Sequence, residues 1–203
     1  MIDRVANDRT ADSRLAEIAA IAHNAARGAE DLRAAVARYR PKAEYRGSLG
    51  RRLRLLARVL CSGFGSRVFH VEHAGFDTHA AQAGAHAGLL KDLSDGLGAL
   101  ARDLRAHGLW DRVVVLVHSE FGRRVRENAS QGTDHGAAGP VFLLGGAVRP
   151  GCHGAAPSLS ELGDGDLVAT GDFRAVYHSI VDWLGVDAGE VVPGAPPAEQ
   201  LFG

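Results

Sequence analysis

The run Val113-Val114-Val115-Leu116-Val117 constrains this chain more than any other stretch, because five consecutive β-branched or leucine residues pass without a polar break. β-Branched side chains favour extended backbone. A continuous apolar run, as opposed to an alternating one, suits a strand covered on both faces, as in a parallel sheet between layers of helices. Parallel neighbours need crossover helices, and helical periodicities surround the run. Leu89, Leu93, Leu97, Leu100 and Leu104 fall three or four apart and predict a long helix stopped by Gly108. Residues 11–39 carry a stripe of Leu15, Ile18, Ala22, Ala25, Ala29, Leu32 and Val36, with Gly28 as a candidate break and Pro41 as the end. Residues 48–60 place Leu49, Leu53, Leu56 and Leu60 on one side and Arg51, Arg52, Arg54 and Arg58 on a face expected to meet solvent. Phe173, Val176, Tyr177, Ile180 and Leu184 predict a helix over 173–184, capped by Asp172 and stopped by Gly185.

Two more strands are expected. Arg67–Glu72 follows the breaker cluster of residues 61–66, and Val141–Leu144 precedes Gly145-Gly146. The alternation predicts an α/β fold with a mostly parallel sheet flanked by helices. Its parts are a helical segment over 1–44, an α/β domain over 45–190 and an irregular tail over 191–203, which carries Pro193, Pro196 and Pro197. Hydrophobic residues at 46% and a formal net charge of -1 fit a globular chain and offer no basic field for nucleic acid. No apolar run approaches the roughly 18 residues of a membrane span, and the polar start Met1-Ile2-Asp3-Arg4 has no signal-peptide core, so the chain as written is expected in the cytoplasm. Cys61 and Cys152 form no CxxC pair, which excludes a disulfide scaffold and a cysteine-rich zinc site; two unrelated buried thiols are expected, with one disulfide between them as the alternative.

Open α/β sheets bind ligands beyond the carboxyl ends of their strands, and three polar clusters fall there. Asp77 and His79 follow the first predicted strand; His118, Ser119 and Glu120 end the second; Asp134 and His135 lie in the loop before the third. Three carboxylates drawn together repel one another, and a divalent cation removes that conflict. Mixed histidine and carboxylate donors suit zinc, manganese or iron better than calcium. Each residue also has an ordinary alternative. Asp77 can cap the following helix, Glu120 can pair with Arg123 or Arg124, and Asp134 can brace the turn beside Gly132 and Gly136. Of the other histidines, His73 is placed to support the loop. His153 is a remote candidate, and His23, His86, His107 and His178 are expected on helix surfaces.

The motifs Gly75-Phe76-Asp77-Thr78-His79, Ser119-Glu120-Phe121-Gly122-Arg123 and Gly132-Thr133-Asp134-His135-Gly136, with the later Asp172-Phe173-Arg174-Ala175-Val176-Tyr177 and Trp183-Leu184-Gly185, resemble the bacterial family known as domain of unknown function 1501. The resemblance is read over about residues 45 to 190. That family is grouped with the alkaline-phosphatase-like superfamily of phosphatases, sulfatases and cofactor-independent phosphoglycerate mutases. The resemblance implies a metal-dependent hydrolase of phosphate or sulfate esters. Asp77, His79, Glu120 and His135 would be the metal ligands, Asp134 is added on proximity, and Arg123 would bind the anionic group. Zinc or manganese is the expected cofactor and a small anionic ester the expected partner. Relatives typically begin with a twin-arginine export signal and a Gly-rich first strand near the nucleophile, and residues 1–44 contain neither. The chain is therefore expected to be a C-terminal part without the nucleophile, periplasmic if its whole is exported. The alternatives are a non-catalytic exported or scaffolding module and an inactive remnant.

Overall fold

The computed structural model describes residues 2–203; for residues 2–15, 25, 31, 32 and 35 it describes the backbone only. Three long helices come first: α1 (Ile2–Arg38), α2 (Gly47–Cys61) and α3 (Gln82–Ala106). Gly28 does not split α1. One glycine in a helix costs only about 1 kcal/mol relative to alanine, and the alanine-rich flanks carry the helix through it. α2 and α3 pack through Leu49, Leu53 and Ala57 of the first and Leu100 and Leu104 of the second, all buried. The crossing is tight at Gly96, where an added Cβ would lie 3.0 Å from a Leu53 methyl. α3 ends where Gly108 turns left-handed (φ 68°) and the Leu109 amide donates back to the Leu104 carbonyl.

Asp103 sits fully buried in α3 beside this core. Its carboxylate accepts hydrogen bonds from the Tyr45 hydroxyl (2.8 Å), the Lys42 amide (2.8 Å) and the Tyr39 hydroxyl, while His107 Nδ1 lies 3.2 Å away. The carboxylate thus fastens the connector between α1 and α2 onto α3. His107 is half-buried against Asp103 and does not sit on an open helix surface as expected, because the i, i+4 spacing brings its ring over the carboxylate.

The remaining chain is mixed α/β but does not form the expected mostly parallel sheet. The strands are β1 (Val115–Val117), β2 (Gly122–Arg123), β3 (His135–Gly136) and β4 (Phe142–Leu144). β1 pairs antiparallel with β4, with Val115 opposite Leu144, and β2 pairs antiparallel with β3, with Arg123 opposite His135. The reason lies in the connection. Residues 118–141 contain no crossover helix, only the short β2–β3 ladder, so β4 returns alongside β1 in the opposite direction. β1 is half-buried, not covered on both faces as its composition predicts. Arg67–Glu72, expected as a strand, forms no ladder among the described residues, although Phe69, Val71 and His73 are partly covered while Val68, His70 and Glu72 are exposed.

The last helices are α4 (Phe173–Trp183) and the single turn α5 (Ala188–Val191). Asp172 caps α4 by accepting from the Arg174 amide, as its position predicts. The tail is less irregular in its packing than in its backbone. Leu201 is buried, Phe202 stacks on Trp183 and bridges to Val148, and the Ser179 hydroxyl joins α4 to the Glu199 backbone. Both cysteines are free; Cys61 is half-buried, and Cys152, expected to be buried, is exposed. No helix among the described residues is long and apolar enough to cross a membrane.

Candidate metal centre

Two loops build the site, and backbone hydrogen bonds zip them together. The chain from Phe76 to Gln82 enters α3, and the chain from Asn128 to His135 enters β3. The Ala81 and Gln82 amides donate to the carbonyls of Ser130 and Gln131, both at 2.9 Å. Ala81 and Gln131 hold left-handed backbones (φ 44° and 60°) at this seam, an uncommon conformation for residues with a Cβ. Gly132 allows the approach: a Cβ there would lie 2.4 Å from the His79 carbonyl oxygen.

Side chains complete the seam. Asn128 Nδ2 donates to the His79 carbonyl and to Asp134 Oδ1, each at 3.1 Å, while its Oδ1 accepts from the Ser130 and Gly132 amides. Thr133 Oγ1 donates to Gln82 Oε1 at 2.8 Å. Arg123 donates from one terminal nitrogen to the Phe76 carbonyl (2.5 Å) and from the other to the Thr133 carbonyl (2.6 Å), so one guanidinium ties both loops.

At the head of the seam, Asp77 Oδ1 meets His135 Nε2 at 2.8 Å and His79 Nε2 at 3.0 Å. Hydrogen bonding from His135 outweighs the opposing desolvation and, joined by the weaker effect of His79, holds the Asp77 carboxyl below the usual carboxylate range. Asp134 Oδ1 lies 3.5 Å from His79 Nδ1, on the other side of that ring. Its carboxyl is also held low, first by Asn128 and then by His79. Phe121 stacks flat on the His135 ring (centroids 4.0 Å apart, 8° between planes), and the Arg123 guanidinium lies over the Phe121 ring at 4.9 Å.

One ligand atom from each of Asp77, His79 and His135 falls within 4.8 Å of the other two. Bonds of about 2.0–2.1 Å to zinc put neighbouring tetrahedral ligands about 3.3 Å apart. The spacings of 2.8 and 3.0 Å from Asp77 therefore need shifts of only a few tenths of an ångström. Two imidazoles and a carboxylate also form a chemically apt set for zinc, manganese or iron. The residues present fit such an ion.

Of the residues singled out from the sequence, Asp77, His79 and His135 come together. Asp134 stands behind His79, where it orients the ring. Arg123 stands behind both loops as a clamp. Glu120 does not join the cluster, although the sequence places it beside Arg123. Phe121 and Arg123 reach the cluster through the ring stack on His135 and the guanidinium above it, while Glu120 sits at the bend between β1 and β2. Three clusters converge only in the sense that the middle one supplies Phe121 and Arg123. His118 instead faces Tyr177 edge-on at 6.4 Å, and Ser119 Oγ donates to the Phe121 carbonyl. His73 packs edge-on against Phe76 (5.3 Å) and meets the Leu89 carbonyl at 3.3 Å. His153 meets the Arg149 carbonyl and takes no part. His178, expected on a helix surface, is partly buried against the Pro196 carbonyl. Sequence reasoning missed Asn128, Gln82 and Phe121. Asn128, three residues before Gln131 in a Gly- and Ser-containing turn, carried a usable signal, because asparagine in turns bonds backbone nearby.

The family model described as Protein of unknown function (DUF1501) matches residues 4–194. The match takes in α1, which lies outside the stretch of 45 to 190 over which the motifs carry the resemblance. No curated protein and no solved structure matches the chain.

Proposed function

The chain belongs to the DUF1501 family, whose description assigns no activity, and from the geometry of its Asp-His-His cluster we propose that it is the metal-binding part of a hydrolase acting on phosphate or sulfate esters. The observation that carries this reading is the convergence of Asp77 with His135, 58 residues away in sequence, at hydrogen-bond distance. Loops joined by left-handed residues and a shared arginine position three donors around one point. Asp77, His79 and His135 would hold a divalent ion there, which would supply Lewis-acid chemistry for ester hydrolysis.

The chain's own residues divide the remaining work. Asp77, His79 and His135 bind the ion. Asp134 and Asn128 fix the His79 ring so that Nε2 points inward. Phe121 holds the plane of His135. Arg123 sets a fixed positive charge behind the cluster, and with its terminal nitrogens engaged by carbonyls its Nε remains for an anionic group. Zinc and manganese are the proposed ions. Within this reading the architecture is alkaline-phosphatase-like. Glu120 would join as a ligand only after a movement of the 118–121 loop.

One observation favours a second reading. Asp77, His79 and His135 are 67, 48 and 46% exposed, whereas ester hydrolysis gains from an enclosed site that excludes water. An open three-donor site also suits a non-catalytic module with a structural ion. The two readings separate in one experiment on the purified chain: elemental analysis and metal titration of wild type and of an Asp77→Ala, His135→Ala variant, with aryl phosphate and aryl sulfate hydrolysis followed in parallel. The hydrolase reading expects stoichiometric zinc or manganese, its loss in the variant, and turnover that disappears with it. Metal without turnover supports the second reading, and equal metal content in both proteins refutes the site.

A further inference from the structure

We propose that α1 is a self-association element, in which residues 11–36 of one copy pack antiparallel against the same residues of a second copy. The proposal is independent of the metal site.

The first observation is exposure. Every described residue from Ala16 to Gly28 is exposed, and this includes Ile18 (62%) and Ile21 (63%). Among the described residues, α1 meets the body of the protein near its end, where Arg58 Nε donates to the Val36 carbonyl. An alanine-rich helix whose described residues from Ala16 to Gly28 are all exposed lacks there the tertiary packing that usually stabilises helices.

The second observation is spacing. The apolar positions 15, 18, 22, 25, 29, 32 and 36 alternate strictly by three and four. That is a 3.5-residue period, the seam of two helices wound round each other, and it is narrower than the face a helix turns toward a globular core.

The third observation selects the partner and its direction. An antiparallel register that sets Leu15 level with Leu32 of the second copy also sets Ile18 level with Ala29 and Ala22 level with Ala25. On one flank of this seam, Ile21 comes beside Gly28 of the second copy. Each isoleucine therefore meets a small residue, and Gly28, which has nothing within 4 Å of the place a Cβ would take, gains a neighbour. On the other flank the same register brings Arg33 beside Asp12 of the second copy, opposite charges at both ends of the pair. A parallel pair would set Ile18 on Ile18 in the seam and Gly28 beside Arg33 on the flank, and it would pair no charges.

The two-fold axis falls between His23 and Asn24, and at 1.5 Å per residue Arg38 lies about 22 Å along the helix from it. The two Arg38 positions, from which each chain leads on to its body, are then about 44 Å apart.

Sedimentation equilibrium of the full chain tests this. Wild type is expected at twice 21.4 kDa, and an Ile18→Asp, Ile21→Asp variant at the single mass with unchanged thermal unfolding of the α2–α3 core. Both side chains are exposed and remote from that core, so the variant folds. Direction is read by disulfide formation in a Cys61→Ala, Cys152→Ala background. Chains with Ile18→Cys are expected to cross-link to chains with Ala29→Cys and not to one another. A monomeric wild type overturns the proposal and assigns the face to a different partner. So does a dimer that survives both aspartates, or an Ile18→Cys chain that cross-links to itself.

Discussion

Replacing Asp103 by alanine tests the reading of the helical core most directly. The carboxylate is fully buried and receives the Tyr45 hydroxyl, the Lys42 amide and the Tyr39 hydroxyl. Hydrogen bonds to a charged acceptor contribute about 1.5–3 kcal/mol each, so three would suggest as much as about 9 kcal/mol. Two effects reduce that figure. Tyr39 and Tyr45 are only partly buried and regain water when the carboxylate goes. Removing a buried charge also removes its desolvation cost. The Lys42 amide and the lost packing remain, and the expected destabilisation is about 3 kcal/mol. Asp103→Asn keeps one carbonyl acceptor and is expected to cost about half of that. Urea denaturation followed by far-ultraviolet circular dichroism measures both. A cost below about 1 kcal/mol for the alanine variant, with an unchanged denaturant slope, would refute the claim that this carboxylate fastens the connector to α3.

Leu104→Ala, at a completely buried position in the same core, is expected to cost about 2–5 kcal/mol in the same denaturation assay. Burial, followed by the Asp103 contact, pushes the Tyr39 and Tyr45 hydroxyls well above the usual phenol range. Their folded pKa values exceed the unfolded ones, so this contribution to stability is fully present below about pH 10 and is lost as pH rises further. Denaturation midpoints measured at rising alkaline pH should fall, with two of the three tyrosines ionising only on unfolding. Gly132→Ala drives a methyl into the His79 carbonyl and is expected to weaken zinc binding at least tenfold, by calorimetric titration, with little effect on the unfolding of the α2–α3 core. Acid acts with the opposite sign at Asp77, whose lowered pKa makes its contribution present above about pH 4 and lost as pH falls below it; the loss of histidine–carboxylate coupling by NMR reports it.

The helices were legible because their signals are local. Leucine spacing found α2 to within a residue at each end and the apolar face of α3, Asp172 marked the cap of α4, and Gly108 and Gly185 marked two ends. The pairing of strands was not legible, because direction is decided by the connection and the 118–141 segment has no periodicity that announces a turn back. Asp77, His79 and His135 could be read as donors from residue type and position after apolar runs. Glu120 could be named by the same reasoning and yet stands apart, because the chain bends at that residue between β1 and β2 and no local pattern announces the bend. Asn128 and Phe121 act through a turn and a ring stack, contacts that only the three-dimensional path of the loops creates. The tail looked irregular from its prolines, while its burial depends on Leu201 and Phe202 meeting distant Trp183 and Val148.

The segment Arg67–Glu72 leaves one trace on how this protein behaves in company. Its burial alternates, one side leaning on the body through Phe69 and Val71, and its amides and carbonyls have no ladder neighbour among the described residues. Such a rim is a template on which stray chains can stack. The outward positions hold His70 and Glu72 beside the bare Val68, and a charge or imidazole every second residue discourages a second chain from lying flat there. Solubility in this molecule therefore depends on a few side chains that contribute nothing to its core.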